Sequence, residues 1–326
     1  MSAHETAERV IVTRRLPGGA LKRLGEVVAL ECWPGEMPPS PAELLSLAAD
    51  AVGLLTMYTD RVDAPLLDGC PGLRVVSNLA VGVDNLDVAE LSRRGIPVGN
   101  TPGVLTDATA DLAFALVLAA ARRITESRDL LLAGAWTTWK PSAFLGLELR
   151  GATIGIVGLG AIGQAVARRA EGFGMQVLGW SRTGRSLPGV TRVPLAELLG
   201  SSDVVSLHVA LTPETRHLIG AAELASMKSG SILINTARGA VVDQRALYEA
   251  LVSGHLGGAG LDVYETEPVP LDEPLLRLAN CVAVPHIGSA TVATRAAMAE
   301  LAVDNLLAGL AGDPLPHCVN PEVYEH

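Results

Sequence analysis

Gly151-Ala-Thr-Ile-Gly-Ile-Val-Gly-Leu-Gly-Ala-Ile-Gly-Gln164 is the stretch that decides how this chain is read. Thr153 to Val157 is a short apolar run rich in β-branched residues, the pattern of a buried strand. It meets Gly158-Leu-Gly-Ala-Ile-Gly163, and Gln164 to Ala170 follow with helical spacing. Strand, G-x-G-x-x-G and helix in that order set the pattern apart from an ordinary glycine-rich turn. Gly158 allows a tight turn, Gly160 lets a pyrophosphate approach the backbone, and Gly163 lets the helix pack closely on the strand. With Leu159, Ala161 and Ile162 between them, they form a phosphate loop whose helix N-terminus offers unpaired N–H groups.

Working outward, 326 residues suffice for two domains with cores of their own. A hydrophobic content of 49%, 18% charged residues and 34 glycines fit a folded α/β protein rather than a disordered one. The net charge of −10 argues against nucleic acid as a partner. Cys32, Cys70, Cys281 and Cys318 are scattered without metal-ligand spacing, so no metal site is expected and a reducing cytoplasm is the simplest setting. Met1 to Arg9 lack the apolar core of a signal peptide, and Leu112 to Ala121 is too short an apolar run to span a bilayer.

Before the glycine loop, Val10–Thr13, Val27–Leu30, Ala51–Thr56, Leu73–Ser77 and Ile96–Gly99 read as strands with helical segments between several of them. They predict a parallel sheet wound on both faces, without a phosphate loop of its own. One long helix is expected from Thr106 towards Leu132, buried through Leu112–Ala121. Trp136 and Trp139 follow in a loop that suits an interface, a pocket wall or plain packing alike. From Thr153 onward, strands at 153–157, 176–179, 204–207, 231–234, 257–261 and 282–284 match a Rossmann count. A long helix is expected over Thr291–Leu310.

Three residues past strand ends could carry chemistry. Arg238 lies in Asn235-Thr-Ala-Arg-Gly239, Glu267 in Gly260-Leu-Asp-Val-Tyr-Glu-Thr-Glu-Pro268, and His286 in Val284-Pro-His-Ile-Gly-Ser289. Strand carboxyl ends face the ligand crevice in such a sheet. A guanidinium grips a planar carboxylate through paired hydrogen bonds. An imidazole is suited to protonating an alkoxide near neutral pH, and a carboxylate on its far nitrogen fixes the tautomer. The set suits reduction of a 2-oxo acid. Taken singly, a strand-end arginine also fits simple solvation and a lone histidine a structural place.

Asn100-Thr-Pro-Gly103, the glycine loop, Asn235–Gly239, Gly260–Val263 with Glu267-Pro268, and Pro285-His286 together resemble the D-isomer-specific 2-hydroxyacid dehydrogenase family. Val104–Leu112, Gly134–Pro141 and Pro285–Thr291 are most similar to its glyoxylate/hydroxypyruvate reductases. The resemblance implies that Arg238 binds substrate, that Glu267 pairs with His286, and that His286 is the acid–base residue. It implies that Val81 and Gly82 clamp the substrate carboxylate through their backbone, and that Thr236, Ala237, Asp262 and Gly288 border the cofactor. The implied architecture is two doubly wound parallel-sheet domains with a cleft between them. Residues 1–100 and 289–326 would form a flavodoxin-like substrate domain, and 101–288 an NAD(P)-binding Rossmann domain. A cytoplasmic homodimer joined through the cofactor domain is expected. Two alternatives remain: another dehydrogenase of the family, such as 3-phosphoglycerate dehydrogenase, or a dinucleotide-sensing corepressor that retains the same Arg, Glu and His.

NAD enzymes usually carry an acid about 20 residues past the glycine loop, on the ribose 2′-hydroxyl. Here Trp180 is followed by Ser181-Arg182-Thr183, hydroxyls and a cation where a carboxylate would repel a 2′-phosphate. NADPH is therefore the expected cofactor. NADH remains possible, with Arg182 and Arg185 as solvated loop residues. Substrate preference within the class depends on how Leu105, Trp139 and the loops pack.

Overall fold

Short apolar runs alternating with helices have one good burial solution, a parallel sheet covered on both faces, and the chain adopts it twice. The computed structural model describes residues 8–182, 184 and 187–325. The chain divides into two units, Met1–Leu105 with Ser289–His326, and Thr106–Gly288.

In the first unit β1 (Arg9–Val12), β2 (Ala29–Cys32), β3 (Gly53–Thr56), β4 (Val75–Asn78) and β5 (Val98–Gly99) pair in parallel. Their order, β2-β1-β3-β4-β5, is that of flavodoxin-like sheets. Alternate residues of a strand face opposite sides. Val10 and Val12 therefore pack with Leu55, with α1 (Ala20–Gly25) and with the C-terminal helix Val292–Ala311. Ile11 packs on the other face with Leu54, Val76 and α2 (Pro41–Ala48), α3 (Ala64–Asp68) and α4 (Val88–Arg93). Thr291 caps the C-terminal helix by accepting the Thr294 N–H at 3.0 Å. Beyond that helix, Val319 N–H donates to the Val98 carbonyl, and Asn320 bonds the Val98 N–H and the Ile96 carbonyl. The far end of the sequence thus borders β5.

The second unit opens with α5 (Thr106–Ala121) and α6 (Ile124–Leu132). Its strands are β6 (Thr153–Val157), β7 (Gln176–Trp180), β8 (Thr191–Arg192), β9 (Val204–Leu207), β10 (Ile232–Asn235), β11 (Gly258–Leu261) and β12 (Cys281–Ala283). All are parallel, in the order β12-β11-β10-β9-β6-β7-β8. Ile154, Ile156, Ile232 and Ile234 pack with α5 and α7 (Ala161–Gly172) on one face. Val157, Val205, Leu207 and Leu233 pack with α8 (Leu195–Ser201), α9 (Ala221–Ser226) and α10 (Gln244–Val252) on the other. The strand order reverses direction between β6 and β9, the switch point at which such sheets bind ligands.

Three expectations need correction. The helix predicted from Thr106 to Leu132 is two helices, because the chain returns at Gly146–Leu147 and the Leu147 N–H takes the Ala121 carbonyl at 2.9 Å. Arg123 then turns left-handed, at φ 52°. The strand expected at Val27–Leu30 begins later, at Ala29, since Val28 N–H still closes the turn after α1 on the Leu24 carbonyl. The second sheet has a seventh strand, β8, whose two exposed residues carry no apolar signature. No described helix is long and apolar enough to cross a membrane.

Candidate active site

The carboxyl ends of β6, β7, β10, β11 and β12 bring the sequence-predicted residues of the second unit to one edge of the sheet. At the end of β6, Gly158 holds φ 104°, and a Cβ there would stand 2.5 Å from the His208 carbonyl oxygen. Only glycine fits that position. A Cβ at Gly163 would overlap the Gly158 carbonyl, so α7 lies directly on the loop. Gly160 caps α7 without a side-chain acceptor, and nothing lies within 4 Å of where its Cβ would be. Leu159 is buried beneath the loop, while Ala161 and Ile162 open the first helical turn, which contains no acidic residue. The first N–H groups of a helix have no partner within it, which leaves a positive, open cradle.

Two further polar groups at this edge lack partners among the described residues. The Thr236 hydroxyl after β10 and the Ser181 hydroxyl after β7 are both buried without a hydrogen bond. Orphaned buried hydroxyls are costly unless a ligand completes them. Together with the cradle, they fit a bound dinucleotide. Arg182 is exposed, with its guanidinium 3.6 Å from Glu214. Thr183 and Arg185 lie outside the described residues.

After β10 the chain makes a turn built by Asn235. Its carboxamide oxygen accepts the Ala237 N–H at 3.0 Å and its nitrogen donates to the Arg238 carbonyl at 2.9 Å. Arg238 donates from Nη1 to the Ala237 carbonyl at 2.9 Å. The next residue, Gly239, lies so close to the Tyr264–Glu265 peptide that any Cβ would overlap it. This contact joins the arginine turn to the loop after β11. There Glu267 does two things: Oε1 accepts the Tyr264 N–H at 3.0 Å, and Oε2 bonds His286 Nδ1 at 2.6 Å. The Tyr264 hydroxyl donates to the Val284 carbonyl at 3.1 Å, tying that loop to the histidine segment.

Asp262 supports the histidine from beneath. It is 1% exposed, and its carboxylate accepts the N–H groups of Ile287 at 2.6 Å and Gly288 at 2.9 Å. Burial raises its pKa, opposed by those two N–H groups and by the nearby imidazole. Burial alone would also raise Glu267. The hydrogen bond and charge of His286, the Tyr264 N–H and the charge of Arg238 outweigh it and hold Glu267 below the ordinary carboxylate range. An ionised Glu267 on Nδ1 makes Nε2 the atom from which His286 can give up a proton.

In the first unit Val81 and Gly82 lie in the loop after β4. The Asn100 carboxamide donates to the Val81 carbonyl at 2.8 Å, and the Asn78 carboxamide to the Gly82 carbonyl at 3.0 Å. Sequence reasoning named the loop but missed these asparagines, as it missed Asn235, whose Asn-Thr-Ala pattern is a turn signal. Leu105 is buried, whereas Trp136 and Trp139 are 61% and 76% exposed, so packing within this chain does not account for them. A cavity of about 370 Å³, lined by Arg123, Glu126, Leu145 and Asn280 among others, lies at the amino ends of β11 and β12, away from this chemistry.

A Rossmann sheet with a glycine cradle, and an Arg with a Glu–His pair at its carboxyl edge, defines a dinucleotide-dependent oxidoreductase. Residues 114–288 match the profile described as D-isomer specific 2-hydroxyacid dehydrogenase, NAD binding domain. The chain is 49% identical over 320 residues to a glyoxylate reductase of Korarchaeum cryptofilum, covering 97% of this chain and 96% of that one. It superposes on the TT0316 protein of Thermus thermophilus with a TM-score of 0.90 at 52% identity, covering 95% and 99% of the two chains. With an NADPH-dependent glyoxylate/hydroxypyruvate reductase of Sinorhizobium meliloti, in complex with NADP and malonate, the TM-score is 0.87 at 35% identity over 97% and 98%. The chain belongs to the D-isomer-specific 2-hydroxyacid dehydrogenase family, whose members act on small 2-hydroxy and 2-oxo acids with a nicotinamide dinucleotide.

Proposed function

We propose that this chain reduces glyoxylate and hydroxypyruvate, to glycolate and D-glycerate, with NADPH as the preferred cofactor and His286 as the proton donor. The 2.6 Å Glu267–His286 hydrogen bond beside Arg238 carries the reading, and the relatives named glyoxylate reductase favour the substrate. Arg238 binds the substrate carboxylate through its fork of N–H groups, with the Val81 and Gly82 N–H groups as further donors. A reduced nicotinamide, when bound, would supply the hydride for the keto carbon. His286 Nε2 protonates the resulting alkoxide, and Glu267 keeps Nδ1 engaged so that the imidazole stays oriented.

In this reading the Thr106–Gly288 unit holds the cofactor and the other unit serves the substrate. Gly158, Leu159, Gly160, Ala161, Ile162 and Gly163 would receive the pyrophosphate, while Thr236, Ala237, Asp262 and Gly288 would border the cofactor, the last two near its nicotinamide. Ser181, Arg182 and Thr183 take the 2′-phosphate. The buried Ser181 hydroxyl, which has no hydrogen-bond partner among the described residues, supports that choice. The Arg182–Glu214 pair opposes it weakly, since exposed ion pairs contribute little and a phosphate competes well for a guanidinium.

We further propose a cytoplasmic homodimer. α6 buries none of its residues, and Ile124, Leu131, Leu132, Trp136, Trp139 and Leu145 are all exposed. So many large apolar side chains along one segment suit coverage by a second copy. Light scattering should give twice the chain mass, and Trp139→Glu should shift the equilibrium towards monomer.

The deciding experiment is cofactor oxidation with glyoxylate, hydroxypyruvate, pyruvate and 3-phosphohydroxypyruvate, each with NADPH and NADH. The highest kcat/KM is expected for glyoxylate or hydroxypyruvate with NADPH. Preference for another 2-oxo acid, or cofactor binding without turnover, would reject the assignment.

A further inference from the structure

The loop that follows β4 is held from behind at three successive carbonyls. Ala80 accepts from the Thr101 N–H at 2.9 Å, Val81 from the Asn100 carboxamide at 2.8 Å, and Gly82 from the Asn78 carboxamide at 3.0 Å. In a trans peptide the N–H lies antiparallel to the preceding carbonyl. Thr101 therefore sets the direction of the Val81 N–H, and Asn100 that of the Gly82 N–H. Among the described residues, neither of these two N–H groups donates a hydrogen bond. Adjacent backbone N–H groups presented in this way form an anion-binding concavity.

Gly82 is the weak point of such a receptor, because it has no Cβ to restrict its backbone. Asn78 supplies the missing restraint by holding Gly82's own carbonyl. Asn78 is fully buried. Its oxygen accepts the Thr56 hydroxyl at 3.0 Å, and its nitrogen also meets the Asn85 oxygen at 3.1 Å. Only a donor suits the Gly82 carbonyl, which fixes which way the carboxamide faces. Asn85 in turn donates to the carbonyls of Met57 at 3.0 Å and Asp60 at 2.8 Å. The Asp60 carboxylate, itself buried, accepts the Met57 N–H at 2.8 Å and the Thr13 hydroxyl. The ends of β1, β3 and β4 are thereby joined through side-chain polar groups beneath one exposed loop.

We propose that Asn78, braced by Asn85, is a positioning residue that holds the Gly82 backbone and so keeps the Val81 and Gly82 N–H groups preformed for the carboxylate of a 2-oxo acid. The inference rests on the reading in which those two N–H groups receive that carboxylate. Without the brace, the loop must be ordered at the moment of binding, and affinity falls by that cost. The chemical step, which uses other residues, is spared. Asn78 therefore acts on KM rather than on kcat.

The test is Asn78→Asp, which preserves size and the acceptor for Thr56 but turns the donor towards Gly82 into an acceptor. For the folded variant KM for glyoxylate should rise roughly tenfold, the value of about one hydrogen bond, with kcat changed less than about twofold. Fluorescence titration should give an unchanged Kd for NADPH. Oxalate should bind the protein–NADPH complex roughly tenfold more weakly. Asn85→Ala, which leaves the Gly82 contact itself untouched, should move KM and oxalate affinity in the same direction, and it decides the matter if Asn78→Asp melts early. A folded variant with unchanged oxalate affinity, or one that loses kcat at constant KM, overturns the inference. Wild-type protein that binds oxalate but does not reduce glyoxylate overturns the functional reading alone, and the oxalate comparison still judges Asn78.

Discussion

Asp262 holds His286 in a backbone conformation that a histidine rarely adopts by itself. His286 sits at φ 51°, in the left-handed region, where an L-residue is disfavoured by roughly 1–2 kcal/mol. The Asp262 carbonyl accepts the His286 N–H at 2.9 Å, and its carboxylate accepts the next two N–H groups. Asp262→Asn puts an amide N–H against one of those donors. We expect kcat to fall roughly tenfold or more, by misplacement of the imidazole, since a lost buried acceptor costs about 1–3 kcal/mol. Steady-state kinetics on the variant would show it, and a wild-type kcat would separate Asp262 from the histidine's placement.

His286→Gln removes the proton donor while retaining a polar side chain. Reduction should drop about 10²- to 10⁴-fold, the range typical of general acid catalysis, with NADPH affinity nearly unchanged. Arg238→Ala should likewise preserve cofactor binding and lose 2-oxo acid turnover. Either variant at full activity with glyoxylate would remove that residue from the mechanism.

Ser181→Asp places a carboxylate after β7, where it would repel a 2′-phosphate and suit a ribose hydroxyl. The ratio of kcat/KM for NADPH to that for NADH should fall at least tenfold, the effect of about 1.4 kcal/mol. An unmoved ratio would place cofactor choice elsewhere.

Gly158→Ala meets two obstacles at once, a φ of 104° and the His208 carbonyl at 2.5 Å from the new Cβ. The expected outcome is lower thermal stability by about 1–3 kcal/mol together with weaker cofactor binding. Calorimetry and fluorescence titration measure the two separately. Gly160→Ala, with open space around its Cβ, should leave the melting temperature close to wild type and weaken cofactor binding alone.

His208 supplies a pH dependence. Burial pushes its pKa down to about 4, and Nε2 lies 2.8 Å from the Ser206 hydroxyl. Because the folded value lies below the unfolded one, near 6.5, the unfolded chain takes up the proton first as pH falls. Stability from this residue is complete above about pH 6.5 and is lost on descending towards pH 4. The residue keeps some contact with solvent, so the loss should be smaller than the roughly 3 kcal/mol of a fully enclosed group. His208→Gln should flatten the melting-temperature curve over that window, and an unchanged slope would assign the acid sensitivity to other groups.

What was legible in the sequence was what is local. The glycine loop is written in consecutive residues, and strand ends advertise themselves by where apolar runs stop, so Arg238, Glu267 and His286 could be named together before any geometry was known. The grip of Asp262 on Ile287 and Gly288 spans two strands, and the brace from Asn78 to Asn85, Asp60 and Thr13 spans three. Neither leaves a periodic trace. The break at Arg123 was hidden for the same reason, because its cause is a segment returning at Gly146 and Leu147. β8 was hidden by its shortness and exposure.

The two-part make-up of the first unit orders the events of synthesis. Its sheet is covered on one face by Ala299, Ala302, Val303 and Leu306 of the C-terminal helix, and β5 is bordered by Val319 and Asn320. A chain made from its N-terminus exposes β1 to β5 long before those residues exist. The Thr106–Gly288 unit is continuous and has every strand it needs once Ala283 has emerged. The domain whose residues leave the ribosome first is therefore the last to be finished.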